Sequence, residues 1–295
     1  MRILILGADG QLGRELTTTL GNSGHDVHPL TVGDCDITRP ATITPHFDSI
    51  KPEAVINCAA WTRVDDAESD AEAAGRVNRD GARSVAEQAD AHGALMCHIS
   101  TDFIFSGDQR APIDESELPG PRSVYGQTKW EGEQAVLMAS RPLIIRTAWL
   151  YGQQGPNFVL TVLRRAAAGL PLAVVDDQRG TPTWTGHLAP AIAHLVEAEV
   201  TGVFHLTNAG EATWYEFARA ILDDSGLGTD LTATTTVEYG APAPRPAYSV
   251  LDNRMWRERG EPPLPAWREG LRAYLAWRRD AGVDTPVPKA ADQTV

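Results

Sequence analysis

"RILILGADGQLGRELTTTL", residues 2–20, decides how the rest of the chain is read. A short apolar run ends at Gly7, and further glycines follow at Gly10 and Gly13. The spacing is G-x-x-G-x-x-G, with a strand before it and a helix opening on it. Glycine permits a tight turn and lets a diphosphate approach the backbone. The helix N-terminus then adds free N–H groups and a favourable dipole. A strand, turn and helix of this kind predict the first unit of a parallel, dinucleotide-binding sheet. Asp9 inside the turn reads as a solvent-facing residue.

The rhythm continues outward from this unit. "HDVHPL" is the next strand, and "TRPATITPHFDSI" holds a short helix with Thr38 as its cap candidate and Pro40 inside its start. "EAVINCAA", "ALMCHIS" and "PLIIRTAWL" are buried runs, separated by the long helical stretch "DAEAAGRVNRDGARSVAEQADAHG" and by a helix through "SVYGQTKWEGE". Buried runs alternating with helices predict right-handed β-α-β units and a doubly wound, mainly parallel α/β sheet of the Rossmann type. Residues 1–150 form its dinucleotide-binding domain. After residue 150 the pattern is less regular. Residues 151–283 read as a smaller, interwoven C-terminal substrate lobe, with a later segment returning to the first domain. Thr213 is a cap candidate within it. Residues 284–295 lack an apolar pattern and read as a disordered tail.

Composition narrows the partners. The chain has 295 residues, 42% of them hydrophobic, and a formal net charge of −13. That charge argues against nucleic acid or an anionic membrane, which need a basic face. No apolar run is long enough to span a bilayer, and no signal peptide is visible. The three cysteines, Cys35, Cys58 and Cys97, form no disulfide framework or metal-ligand spacing. A reducing cytoplasm is the expected location.

Two stretches carry chemistry. In "SVYGQTKWEGE", Tyr125 and Lys129 are four residues apart and so share one helix face. An ammonium beside a phenol would lower a pKa that starts near ~10, which suits a proton donor. Taken alone, the pair also fits the surface of an ordinary amphipathic helix. "HISTDFIFSG" delivers Ser100, Thr101 and Asp102 at the carboxyl end of the fourth strand, where open α/β sheets bind ligands. A hydroxyl there could bond a carbonyl oxygen near Tyr125. The second strand ends in "HPLTVGDCD", with Leu30 and Thr31 where an acid would select NAD. Asp34 and Asp36 come later, and no arginine waits for a 2′-phosphate either, so the missing acid leans only slightly toward NADPH and leaves NADH open.

With the glycine turn, "STDFIF" and "YGQTK" in this order, the chain resembles the extended short-chain dehydrogenase/reductase superfamily. "NCAAWTRVDDAES", "RTAWLYG", "VVDDQRGTPT" and "RPAYSVLDN" are similar to segments of one family within it, the dTDP-4-dehydrorhamnose reductases. The likeness runs from residue 1 to about 280. It implies that Tyr125 donates a proton and that Lys129 holds the nicotinamide ribose and lowers the tyrosine pKa. It implies that Thr101 bonds the substrate carbonyl. Gly10, Gln11 and Leu12, in the turn framed by Gly7 and Gly13, would meet the diphosphate. Asp36 and Ile37 would lie beside the adenine, and Ala60, Trp61 and Thr62 along the cofactor. Asp102 and Trp149 match positions that touch the sugar nucleotide. Arg179 and Arg245 are candidates for the substrate diphosphate. The implied reaction is NADPH-dependent reduction of a dTDP-4-keto-6-deoxysugar at C4, giving dTDP-β-L-rhamnose.

The chain departs from the family pattern in two places. Phe103 stands where "STDYVF" would carry tyrosine. Some members form a magnesium-linked dimer through glutamates; Glu15 matches one, but "TGHLAPA" offers His187 near the place of its partner. No metal site is therefore expected, and that mode of homodimer is in question. Competing readings are a reductase of another dTDP-4-keto-6-deoxysugar in an antibiotic pathway, a non-catalytic relative such as the regulatory β subunit of methionine adenosyltransferase, and an epimerase or dehydratase. Retention of Thr101, Tyr125 and Lys129 favours catalysis. Phe103 after Asp102 leaves the Asp-Glu pair of dehydratases incomplete.

Overall fold

The structure is a computed structural model that describes residues 1–283. The tail expected over residues 284–295 lies outside the described residues. Strand β1 (Arg2–Leu6) leads into the glycine turn and helix α1 (Gln11–Asn22). Gly7 has φ +71°, and a Cβ there would lie 2.7 Å from the Ala59 nitrogen. A Cβ on Gly13 would lie 2.3 Å from the Gly7 carbonyl oxygen. A side chain at Gly7 would strike the backbone beyond β3, and one at Gly13 would push α1 away from the turn after β1.

The next elements are β2 (Asp26–Leu30), α2 (Pro40–Ile50) and β3 (Ala54–Asn57). Thr38 does not cap α2. Its amide and hydroxyl bond Asp36 Oδ1 at 3.0 and 2.7 Å, and Arg39 takes the cap position before Pro40. Asp36 is the stronger local acceptor, so the threonine is used in the preceding turn. Helices α3 (Val64–Ser69), α4 (Ala71–Gly75) and α5 (Ala82–Ala91) follow, the last two joined by a π-helical turn at Arg76–Gly81. Then come β4 (Leu95–Thr101), α6 (Val124–Val136) and β5 (Pro142–Thr147).

The later chain contributes β6 (Leu150–Tyr151), α7 (Phe158–Ala167), β7 (Leu172–Val175), β8 (Arg179–Gly180) and β9 (Thr183–Trp184). After them come α8 (Thr185–Glu197), β10 (Gly202–His205), β11 (Ala212–Thr213) and α9 (Trp214–Ser225). The described chain closes with β12 (Leu231–Thr234), α10 (Thr236–Tyr239), α11 (Arg254–Glu258) and α12 (Trp267–Asp280). Thr213 caps α9 in a reciprocal capping box with Glu216.

Six parallel strands form the main sheet in the order β10-β5-β4-β3-β1-β2. From β1 the chain first moves outward to β2, then crosses back to β3 on the other side. The carboxyl ends of β1 and β3 thus flank the crevice where strand order reverses. Alternation along β1 sends Ile3 and Ile5 to one face, against Leu16 and Leu20 of α1 and Leu188, Ile192 and Leu195 of α8. Leu4 and Leu6 go to the other face, with Phe47 of α2 and Val85 of α5. A separate core joins Val162, Phe217, Ile221, Leu271 and Tyr274 in the smaller lobe. The lobes are interwoven, because α8 and β10 return to the large sheet between segments of the small one.

Candidate active site

The glycine turn leaves Gly10 as the N-cap of α1, with no side chain capping the helix. The first-turn N–H groups therefore face the crevice unclaimed by a cap. Leu12 is buried in the core and offers only its backbone. Gln11 reaches across the crevice. Its Nε2 donates to the Pro156 carbonyl at 3.1 Å and its Oε1 accepts from Asn157 Nδ2 at 3.3 Å. Asp36 is half-buried and turned to Thr38, while Ile37 is buried against Gly81 in the π-helical turn. Ala60 and Trp61 are half-buried beyond β3, and Thr62 is exposed. The Trp61 amide donates to Asn78 Oδ1 at 2.8 Å, and Arg63 lies 4.2 Å over the Trp61 ring.

Asn78 was not singled out by sequence reasoning. It sits in the π-helical turn, and its Nδ2 also donates to the Trp61 carbonyl and to Thr128 Oγ1 on α6. One buried amide thus ties the loop after β3 to α6.

Ser123 caps α6, its side chain accepting from the Gly126 amide at 3.1 Å. That starts the helix so that Tyr125 and Lys129 fall in its first turns. Lys129 is buried, and its Nζ donates to the Ile99 carbonyl at 2.6 Å and lies 3.4 Å from His98 Nε2. Burial lowers its pKa to about 8, against the opposing pull of Glu133 one turn on. Tyr125 is pushed up to about 12 by burial; a Thr101 hydrogen bond lowers it and the Asp102 charge raises it. The Lys129 ammonium is held by the Ile99 carbonyl, and burial is the largest influence on the phenol.

Thr101 ends β4 and Asp102 opens the 3-10 turn after it; both are buried. Thr101 Oγ1 donates to Asp102 Oδ1 at 3.1 Å and accepts the Phe103 amide at 3.2 Å. Phe103 meets Tyr125 edge to face, ring centroids 5.5 Å apart. Beyond it opens a cavity of about 200 Å³ lined by Phe103, Trp149, Val175, Trp214, Arg245 and Ser249, among others. Trp149 has φ +49°, rare for a large side chain. It stacks on Trp214 at 3.6 Å, in space that Gly180 provides by lacking a Cβ. Trp214 and Ser249 are two further lining residues that sequence reasoning did not find.

The two predicted arginines lie differently. Arg245 borders the cavity, but its guanidinium is paired with Asp65 at 2.9 and 3.0 Å. Arg179 lies 3.4 Å from both Glu211 and Glu216, outside the cavity lining. Glu15 is raised by burial, with a Thr185 bond opposing. His187 bonds Asn208 at 2.8 Å. Among the described residues no group of three or more His, Cys, Asp or Glu side chains could hold a metal ion.

Comparison with known proteins agrees with this architecture. A family model described as "RmlD substrate binding domain" matches residues 1–279. A "probable dTDP-4,6-dihydroxy-2-methyloxan-3-one 4-ketoreductase" of Streptomyces antibioticus is 46% identical, over 92% of this chain and 94% of its own. A dTDP-4-dehydrorhamnose reductase of Streptomyces griseus is 42% identical over 98% of both chains. The crystal structure of dTDP-4-dehydrorhamnose reductase from Bacillus anthracis in complex with NADP superposes with a TM-score of 0.92. It is 37% identical, with 94% of this chain and 99% of that one covered. A Thermus thermophilus UDP-glucose 4-epimerase shares the fold at a TM-score of 0.84 and 20% identity. With its parallel sheet, glycine turn and Thr101–Tyr125–Lys129 grouping, the chain belongs to the dTDP-4-dehydrorhamnose reductase family, whose model spans nearly all of it.

Proposed function

We propose that the chain reduces the C4 keto group of dTDP-4-dehydro-β-L-rhamnose to the alcohol of dTDP-β-L-rhamnose, using NADPH. The observation that carries this reading is the convergence of Thr101, Tyr125 and Lys129 between an uncapped glycine-rich helix start and an aromatic cavity. The N-terminus of α1, with Gly10, Gln11 and Leu12, fits a cofactor diphosphate, because the turn is stripped of side chains where a phosphate would lie. NADPH is favoured by the B. anthracis relative solved in complex with NADP; at the end of β2 the Asp34 carboxylate is turned to Thr31, at 2.7 Å from its hydroxyl. Bound NADPH would supply the hydride. Lys129 would hold the nicotinamide ribose, and Asp36, Ile37, Ala60, Trp61 and Thr62 would line the rest.

Tyr125 acts as the acid in this reading. A phenol at about 12 keeps its proton at neutral pH and gives it up only to a stronger base, as an alkoxide forming at C4 would be. Thr101, bonded to Asp102 behind it, holds the carbonyl oxygen, and Trp149 and Arg245 hold the sugar nucleotide. A second reading, reduction of another dTDP-4-keto-6-deoxysugar, is favoured by the 46% identity to the S. antibioticus ketoreductase. Product analysis with NADPH and a panel of nucleotide 4-ketosugars separates the two. Conversion of the rhamnose precursor ahead of its epimers is expected; turnover confined to a different ketosugar would transfer the assignment to the second reading.

A further inference from the structure

Thr101 has one hydroxyl proton and two lone pairs. The proton is directed at Asp102 Oδ1, 3.1 Å away. One lone pair takes the Phe103 amide at 3.2 Å. The hydroxyl's only proton thus points at a carboxylate. A substrate carbonyl oxygen can only accept. Placed beside Tyr125, it would meet a lone pair of Thr101 and be repelled.

A proton on Asp102 Oδ1 reverses the arrangement. The carboxylic O–H then donates to the second lone pair of Thr101 Oγ1. The Phe103 amide keeps its place, and the Thr101 proton is free to point at the carbonyl. Asp102 suits the neutral form. It is 2% exposed. Burying a neutral acid costs far less than burying a carboxylate. Resting on the reductase reading, we propose that Asp102 is a positioning residue. Protonated, it turns the Thr101 hydroxyl toward the substrate carbonyl; ionised, it holds that hydroxyl away.

Burial moves Asp102 up to about 6, with the Ser249 and Thr101 hydroxyls opposing. The titratable group facing it from α6 is Tyr125, and Lys129 on the next turn is bonded to the Ile99 carbonyl. Of the nearby arginines, Arg146 on β5 is paired with Glu133 and Arg245 on the second-lobe loop with Asp65. Among the described residues, both arginines are thus neutralised by other carboxylates. The competent form prevails below about 6 and is lost as pH rises through that value. The proton on Asp102 is not consumed: hydride reaches C4, Tyr125 supplies the proton to oxygen, and Asp102 only orients.

The test is the pH profile of kcat/KM with NADPH and dTDP-4-dehydrorhamnose. Wild type should fall about tenfold per pH unit above the Asp102 titration. In Asp102→Asn the amide N–H donates to Thr101 at every pH, so this limb should vanish while the Lys129 limb stays. Thr101→Val should also lack the lower limb, at a rate reduced by about 10²–10³. A lower limb retained in either variant overturns the proposal. An infrared pH titration reads the same pairing without turnover. The band of a buried protonated carboxyl should be absent in Asp102→Asn and shifted in frequency in Thr101→Val. If wild type turns over no ketosugar, the reductase reading fails by itself, and an unshifted band in Thr101→Val would still overturn the pairing.

Discussion

Tyr125 and Lys129 share a helix face but answer to different neighbours, and this separates their expected phenotypes. Tyr125→Phe removes the proposed acid and leaves Lys129 to hold the nicotinamide ribose. Turnover should fall by about 10²–10⁴ while NADPH affinity, read by fluorescence titration, stays the same. Lys129→Met should lower both, since one ammonium serves both. Because burial sets Lys129 to about 8, the ammonium is present below that pH and lost above it. Wild-type kcat/KM should therefore decline as pH rises through about 8, and Lys129→Arg should move that limb upward. Trp149 carries strain at φ +49° and stacks on Trp214 at the cavity wall. If that strain serves substrate, Trp149→Ala raises KM with little change in Tm; a large Tm loss at unchanged KM would make it a core residue instead.

At the scale of elements, α6 is brought close by two glycines. A Cβ on Gly126 would lie 2.2 Å from the Phe103 carbonyl oxygen, and one on Gly132 would lie 2.1 Å from that of Asn78. Both contacts are with backbone, so relief requires the helix to move. Gly132→Ala gains up to about 1 kcal/mol of helix propensity. Overpacking against a fixed carbonyl costs about 1–3 kcal/mol, so net destabilisation is expected, read as a lower urea midpoint at unchanged slope. The same helix shows what the sequence made legible. Its Ser123 cap, its Tyr-x-x-x-Lys spacing and the apolar runs on either side are local signals, and α6 between β4 and β5 follows from them. The π-helical turn, the Asn78 bridge and the positive φ of Trp149 depend on where distant backbone lies. No periodicity encodes them, and Thr38 was misread as a cap because Asp36 competes for it two residues away.

Across the whole molecule, charge was the hardest feature to read. A net charge of −13 must coexist with a substrate and a cofactor that each carry a diphosphate. Screening within about 8 Å at physiological salt leaves local groups to decide binding. With no grouped metal ligands among the described residues, EDTA should leave turnover unchanged, and loss that magnesium restores would refute this. Arg179 and Arg245 were equivalent candidates in the sequence. Their partners distinguish them, and partners such as Asp65 and Arg245 lie too far apart in the chain for spacing to pair them. Arg179 is shared between Glu211 and Glu216 away from the cavity. Arg245 stands on the cavity wall, where Asp65 from the first domain holds its fork across the lobes. A half-buried guanidinium already ordered by one carboxylate loses little further freedom on meeting a diphosphate. Arg245→Ala should therefore weaken dTDP binding by about 1.5–3 kcal/mol, the worth of hydrogen bonds to a charged group. Arg179→Ala should leave it within about 0.5 kcal/mol, as for an exposed ion pair. NADPH affinity should hold in both. Calorimetric titration of dTDP decides between them: equal affinity in Arg245→Ala and wild type would remove this arginine from the substrate site and leave the Asp65 pair as a clasp between the lobes.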